Sequence, residues 1–260
     1  MVELLKYQEV VEIAKEEIKF RKPGDYKNSK IQLGSCRLWQ DSDQINLWTY
    51  WQGYQLKDID NKGVDILLVG QDWGNPFKEE GQSIRKRIKA IQENKMAKYI
   101  EEDEYASPTD KNLIWLFKDA FDVQIKELNP GKRLFFTNYS LGYRQEGTSE
   151  TGNMTKTLLR KDSDLFDMLV NAINPTIIIC LGKITYEVVV NKVAHDFVKH
   201  LNKGKPFEGI YHLSCRDRDV PVYGVAHCGA RGFSNIGNDK AILDSWKYIA
   251  KKYEEINEFY

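Results

Sequence analysis

Apolar and polar positions follow two rhythms along this chain. Four short, nearly continuous apolar runs, at 64–69, 133–137, 176–181 and 220–226, are bounded by turn-forming residues and read as strands buried on both faces. Around them apolar residues recur three and four positions apart, which predicts helices over 111–121, 164–173, 184–201 and 239–256. A similar period predicts an amino-terminal helix over 3–20. Buried strands alternating with helices give an α/β class, with three α/β/α layers and a central four-stranded parallel sheet. In such a sheet ligands bind beyond the carboxyl ends of the strands, so the residues just after each run are the ones to inspect.

Three segments fall outside this rhythm. Residues 22–60 are polar but rich in large aromatics, among them Trp39, Trp48, Tyr50, Trp51 and Tyr54. Packing on the core is their expected role, because aromatic rings bury large areas; stacking on bases is the alternative. Residues 78–104 are densely charged with a helical period and read as a solvated helix face. Residues 142–160, rich in Gly, Thr and Ser, read as a long loop above the second strand, a kind of segment that often carries function. A single domain over 1–260 is expected, with 1–60 forming a helix and a Trp-rich extension packed on the core.

Composition narrows the partners. Thirty-eight basic residues balance 38 acidic ones, so no long-range positive field steers the molecule to phosphate, and any nucleic-acid affinity must be local. No apolar run approaches the roughly 20 residues that span a bilayer, and the first residues carry acids early without a cleavable signal pattern. A cytoplasmic monomer with no membrane partner is expected. The four cysteines, Cys36, Cys180, Cys215 and Cys228, form no CxxC pair and fit neither a disulfide framework nor an iron–sulfur pattern. His195, His200 and His212 show no ligand spacing, so neither a metal nor another cofactor is expected.

The candidate chemistry sits where the strand-end rule places it. The first strand leads into Gly70-Gln71-Asp72-Trp73-Gly74-Asn75-Pro76-Phe77, which sets a carboxylate and a carboxamide on a glycine-bounded turn. The second ends at Thr137-Asn138-Tyr139, and asparagine offers both a donor and an acceptor to the edge of a base. The third turns through Gly182-Lys183 into a helix. The fourth delivers His227-Cys228-Gly229-Ala230-Arg231-Gly232-Phe233-Ser234. Plainer roles stand beside these: a turn aspartate, a turn asparagine, a structural histidine and an exposed helix-start lysine.

These four segments, in this order, resemble the uracil-DNA glycosylase superfamily over about residues 64–250. Gly70-Gln71-Asp72 matches the start of a GQDPY-type water-activating motif, and Gly74 matches the glycine of its GEAPG-like variant. Asn138 resembles the family's base-reading asparagine, 175–183 its third strand and turn, and His227 the start of its HPS-type motif. The resemblance implies Asp72 and His227 as catalytic residues, with Gln71, Gly74, Phe77 and Asn138 around the base. It implies Gly182, Lys183, Arg231 and Ser234 as phosphate or DNA contacts. Trp73 replaces the motif's proline, Gly74 stands where the strictest uracil enzymes carry a tyrosine, and Cys228-Gly229 replaces Pro-Ser. The expected activity is therefore hydrolysis of the N-glycosidic bond of uracil or of another deaminated or damaged base in DNA. The alternative is a non-catalytic module on the same fold, binding a nucleobase, a nucleotide or nucleic acid.

Overall fold

The computed structural model describes residues 4–20, 33–35, 62–72, 108–125, 132–140, 142–144 and 153–258. Its strands are β1 (Leu33–Ser35), β2 (Val64–Gly70), β3 (Leu134–Asn138), β4 (Gly142–Arg144), β5 (Pro175–Leu181), β6 (Phe207–Leu213) and β7 (Arg218–Val225). Its α-helices are α1 (Tyr7–Phe20), α2 (Pro108–Phe121), α3 (Lys156–Leu159), α4 (Ser163–Ile173), α5 (Lys183–Val189), α6 (Phe197–Leu201), α7 (Ala230–Ile236) and α8 (Asp239–Glu258).

The chain is α/β with helices on both sides of a central sheet, but that sheet is not four parallel strands. Among the described residues it has five, in the order β3-β2-β5-β7-β6, and β6 runs antiparallel to β7. The expectation failed at β6 because this edge strand is only half buried. Its residues alternate between intermediate burial and exposure, with Ile210 62% exposed, so no continuous apolar run marks it. The four foreseen strands do pair in parallel, and all seven residues of β2 are buried between β3 and β5. Each fully buried Ile, Leu or Val there contributes about 1.5–3 kcal/mol.

Side-chain direction assigns the helices to faces. Tyr211 of β6 donates from its hydroxyl to Asp167 on α4. Gly209, two residues earlier and therefore on the same face, lies against Tyr186 and Val190 at α5, so α4 and α5 share a layer. Glu208, the residue before Gly209, points the other way and accepts from the Tyr248 hydroxyl on α8 at 2.8 Å. In that second layer Trp246 of α8 meets Phe117 of α2 edge-on, with ring centres 5.3 Å apart. The amino-terminal helix packs beside α4, and its Tyr7 meets Phe135 of β3.

Two other expectations change. The helix expected over 184–201 is two helices, α5 and α6, separated where Asn191 and Asp196 adopt left-handed backbone angles. The expected loop over 142–160 contains β4, paired antiparallel with β1, and the short helix α3, whose first turn is capped by the Thr155 hydroxyl accepting from Leu158 N–H. Residues 78–104 and, apart from β1, residues 22–60 lie outside the described residues. Among the described residues no helix is long and apolar enough to cross a membrane.

One ion pair anchors the sheet at the end opposite the candidate site. Asp65 at the start of β2 accepts from Arg133 through its backbone N–H at 2.6 Å and through Nη2 at 2.8 Å. Asp65→Asn is expected to destabilise the fold by about 2 kcal/mol, below the 3–5 kcal/mol of a fully buried pair because Arg133 is partly solvated. A urea midpoint equal to that of the wild type would refute this anchoring role.

Candidate functional site

The register brings four strand ends to one rim. Gly70 pairs with Asn138, and Leu181 pairs with Val225. The β2–β3 ladder continues past both strands, with Tyr139 N–H donating to Gly70 O at 2.9 Å and Ser140 N–H to Gln71 O at 3.1 Å. Gly182 N–H donates to Val225 O at 2.8 Å, which holds the β5 turn beside the segment that leads to His227. A β-carbon at Gly182 would stand 3.7 Å from that of His227.

Asn138 is buried and its Oδ1 lies directly over Gly70, where any β-carbon would collide with it. Glycine at position 70 is therefore a condition for the carboxamide to sit at the floor of the rim. Gln71 and Asp72 follow on the rim, both half-buried.

His227 is the most constrained group of the site. Gly229 N–H donates to its Nδ1 at 2.9 Å, so that nitrogen is an acceptor and the neutral ring carries its proton on Nε2. Burial lowers its pKa below the ordinary 6.5, while the nearby charge of Asp72 pulls it partly back. The imidazole is thus held neutral, in one tautomer, beside a carboxylate.

Two elements lock the histidine turn. From α2, Asn112 Nδ2 donates to Cys228 O at 2.7 Å, and Thr109 Oγ1 would lie 3.3 Å from a β-carbon at Gly229. From the other side α7 sits so close that a β-carbon at Gly232 would collide with the His227 carbonyl. Trp115 of α2 meets Phe233 of α7, with ring centres 6.1 Å apart, closing the clamp. Cys228 is buried between them, and burial pushes its thiol pKa up, so it is no nucleophile.

The remaining foreseen residues are placed less closely. Arg231 and Ser234 lie exposed on α7. Lys183 opens α5 and stands 3.8 Å from Glu187 of its own helix. Gly74 and Phe77 lie outside the described residues. Among the described residues no group of three or more His, Cys, Asp or Glu is arranged to hold a metal ion. Thr109 and Asn112 were not foreseen; Pro108 at a first helical position was the available signal for the start of α2.

No known protein family matches the chain, and no curated protein does. What the site can do chemically follows from its own groups: a neutral imidazole donor on Nε2, a carboxylate close by, and a buried carboxamide at the floor.

The lowered pKa of His227 has a consequence for stability. Between the folded value and about 6.5 the unfolded chain binds more protons than the folded one, so stability is full above that window and is lost as pH falls through it. Thermal unfolding between pH 8 and pH 5 is expected to show a shallower acid decline for His227→Gln than for the wild type. Parallel declines would mean that the ring does not titrate with folding.

Proposed function

We propose that this chain is a DNA glycosylase of the uracil-DNA glycosylase type, hydrolysing the bond between deoxyribose and uracil or another deaminated or damaged base. The observation that carries this reading is the His227 ring, kept neutral by burial and fixed as an Nε2 donor by the Gly229 N–H, beside the carboxylate of Asp72.

Breaking the C1′–N bond leaves positive charge on the sugar and negative charge on the departing base. A donor near a base carbonyl and a carboxylate near the sugar lower that barrier. In this reading the base is flipped out of its stack and Asn138 reads its edge. His227 Nε2–H donates to the base carbonyl. Asp72 stabilises the sugar cation and orients and deprotonates a water whose oxygen bonds to C1′. The proton that this water sheds ends on the departing base, so the products are the free base and an abasic site. A neutral donor suits the task, since it stabilises the base anion without first losing its own proton.

The test is release of free base, read as strand cleavage at the abasic site, from labelled single- and double-stranded DNA carrying uracil. Product that depends on Asp72 would support the reading. DNA that is bound but returned intact, with other deaminated bases also untouched, would replace it with a non-catalytic binding module.

A further inference from the structure

Immediately outside the strand-end rim lies an open depression of about 510 Å³, lined by Lys183, Asp196, Phe197, Val198, Lys199 and Asn202. Lys183 belongs to both places, because it follows Gly182 of the rim and opens α5. The far wall is α6, which packs against α7, the helix that bears Arg231 and Ser234.

Its chemistry is lopsided in a chain of zero net charge. From residues 192–205 its lining takes Lys199 and one acid, Asp196, and the same stretch carries Lys192, Lys203 and Lys205 outside the lining. Lys183 adds a further cation and is weakly held. Its partner Glu187 already accepts from Ala194 N–H at 2.8 Å and pairs with Lys156 at 2.9 Å, whereas Lys183 stands 3.8 Å away with its side chain 47% exposed. Val198, next to Lys199 in the lining, keeps 44% of its surface in solvent, an apolar contact for a sugar or base face.

We propose that this depression is a groove for the sugar-phosphate backbone of a single nucleic-acid strand continuing from the extruded nucleotide, with Lys183 and Lys199 as its phosphate contacts. The identity of the ligand rests on the glycosylase reading; the groove rests on its own charge and shape. Neutralising phosphate releases counterions, so the contact has a thermodynamic signature that does not require catalysis.

The experiment is a salt titration of binding between the full chain and a fluorescent single-stranded oligonucleotide without uracil, followed by anisotropy. Lys199→Glu is expected to weaken binding about tenfold at low salt and to reduce the slope of log affinity against log salt by about 0.7 for the lost contact. Lys199→Arg is expected to keep wild-type values. Lys118→Glu, in the last turn of α2 and so far from the helix end that meets His227, is expected to change neither quantity.

Wild-type behaviour in Lys199→Glu, equal losses in Lys118→Glu, or a wild-type chain that binds no oligonucleotide would each overturn the groove. Uracil release together with an unaltered slope in Lys199→Glu would remove the groove and leave the glycosylase reading in place. Binding that depends on Lys199, without base release from any DNA, would keep the groove and remove that reading.

Discussion

Asp72→Asn is expected to slow base release by about a thousandfold, within the 10²–10⁴ range for loss of a positioned general base. The replacement keeps the size of the side chain and one acceptor oxygen but removes the negative charge. Both proposed duties, orienting and deprotonating water and stabilising a sugar cation, need that charge. Asp72 is half-buried beyond the end of β2, so the isosteric change should leave the core of the sheet intact. The charge of Asp72 raises the pKa of His227, so in Asp72→Asn the histidine should titrate at still lower pH by NMR. Single-turnover release within tenfold of the wild type would take Asp72 out of the chemistry. A rate loss without movement of the His227 titration would argue that the two groups act apart.

His227→Leu should cost about 10²–10³ in the rate of the chemical step, the effect of losing one preorganised donor to a developing oxyanion. Leucine also strips the Gly229 N–H of its acceptor, for a stability loss of about 1–3 kcal/mol if that group stays buried. His227→Gln separates the two effects. Its amide oxygen offers an acceptor and its nitrogen a donor, so it should recover more stability than rate. If both variants bind uracil-containing DNA and release base at the wild-type rate, the ring is structural.

The parts of the fold that were legible are those governed by burial alone. The runs 64–69, 133–137, 176–181 and 220–226 fall on β2, β3, β5 and β7 to within two residues, because strands covered on both faces must be apolar throughout. The edge strand β6 escaped because its outer face is exposed and the polar Glu208 and His212 on it interrupt the apolar run. The division between α5 and α6 escaped for a different reason: apolar spacing persists through 184–201, while the break depends on backbone angles at Asn191 and Asp196. The three-residue pairing of β1 with β4 is too short to carry any period.

At the rim the strand-end rule located Asp72, Asn138 and His227 without tertiary information. It could not locate the clamp on the histidine. Asn112 reaches Cys228 across 116 positions of sequence, and the approach of Gly232 to the His227 carbonyl is a fact of packing that no local pattern records.

That last approach makes residues 227–232 behave as a joint without play. Helix α7 rests on the histidine turn with no side chain between them, so it cannot tilt without carrying the His227 backbone with it. Whatever pulls on the outward face of α7, where Arg231 and Ser234 are displayed four and seven residues after His227, is felt at the imidazole. Position 232 is therefore closed to every residue but glycine, because any side chain there would push the histidine turn and α7 apart.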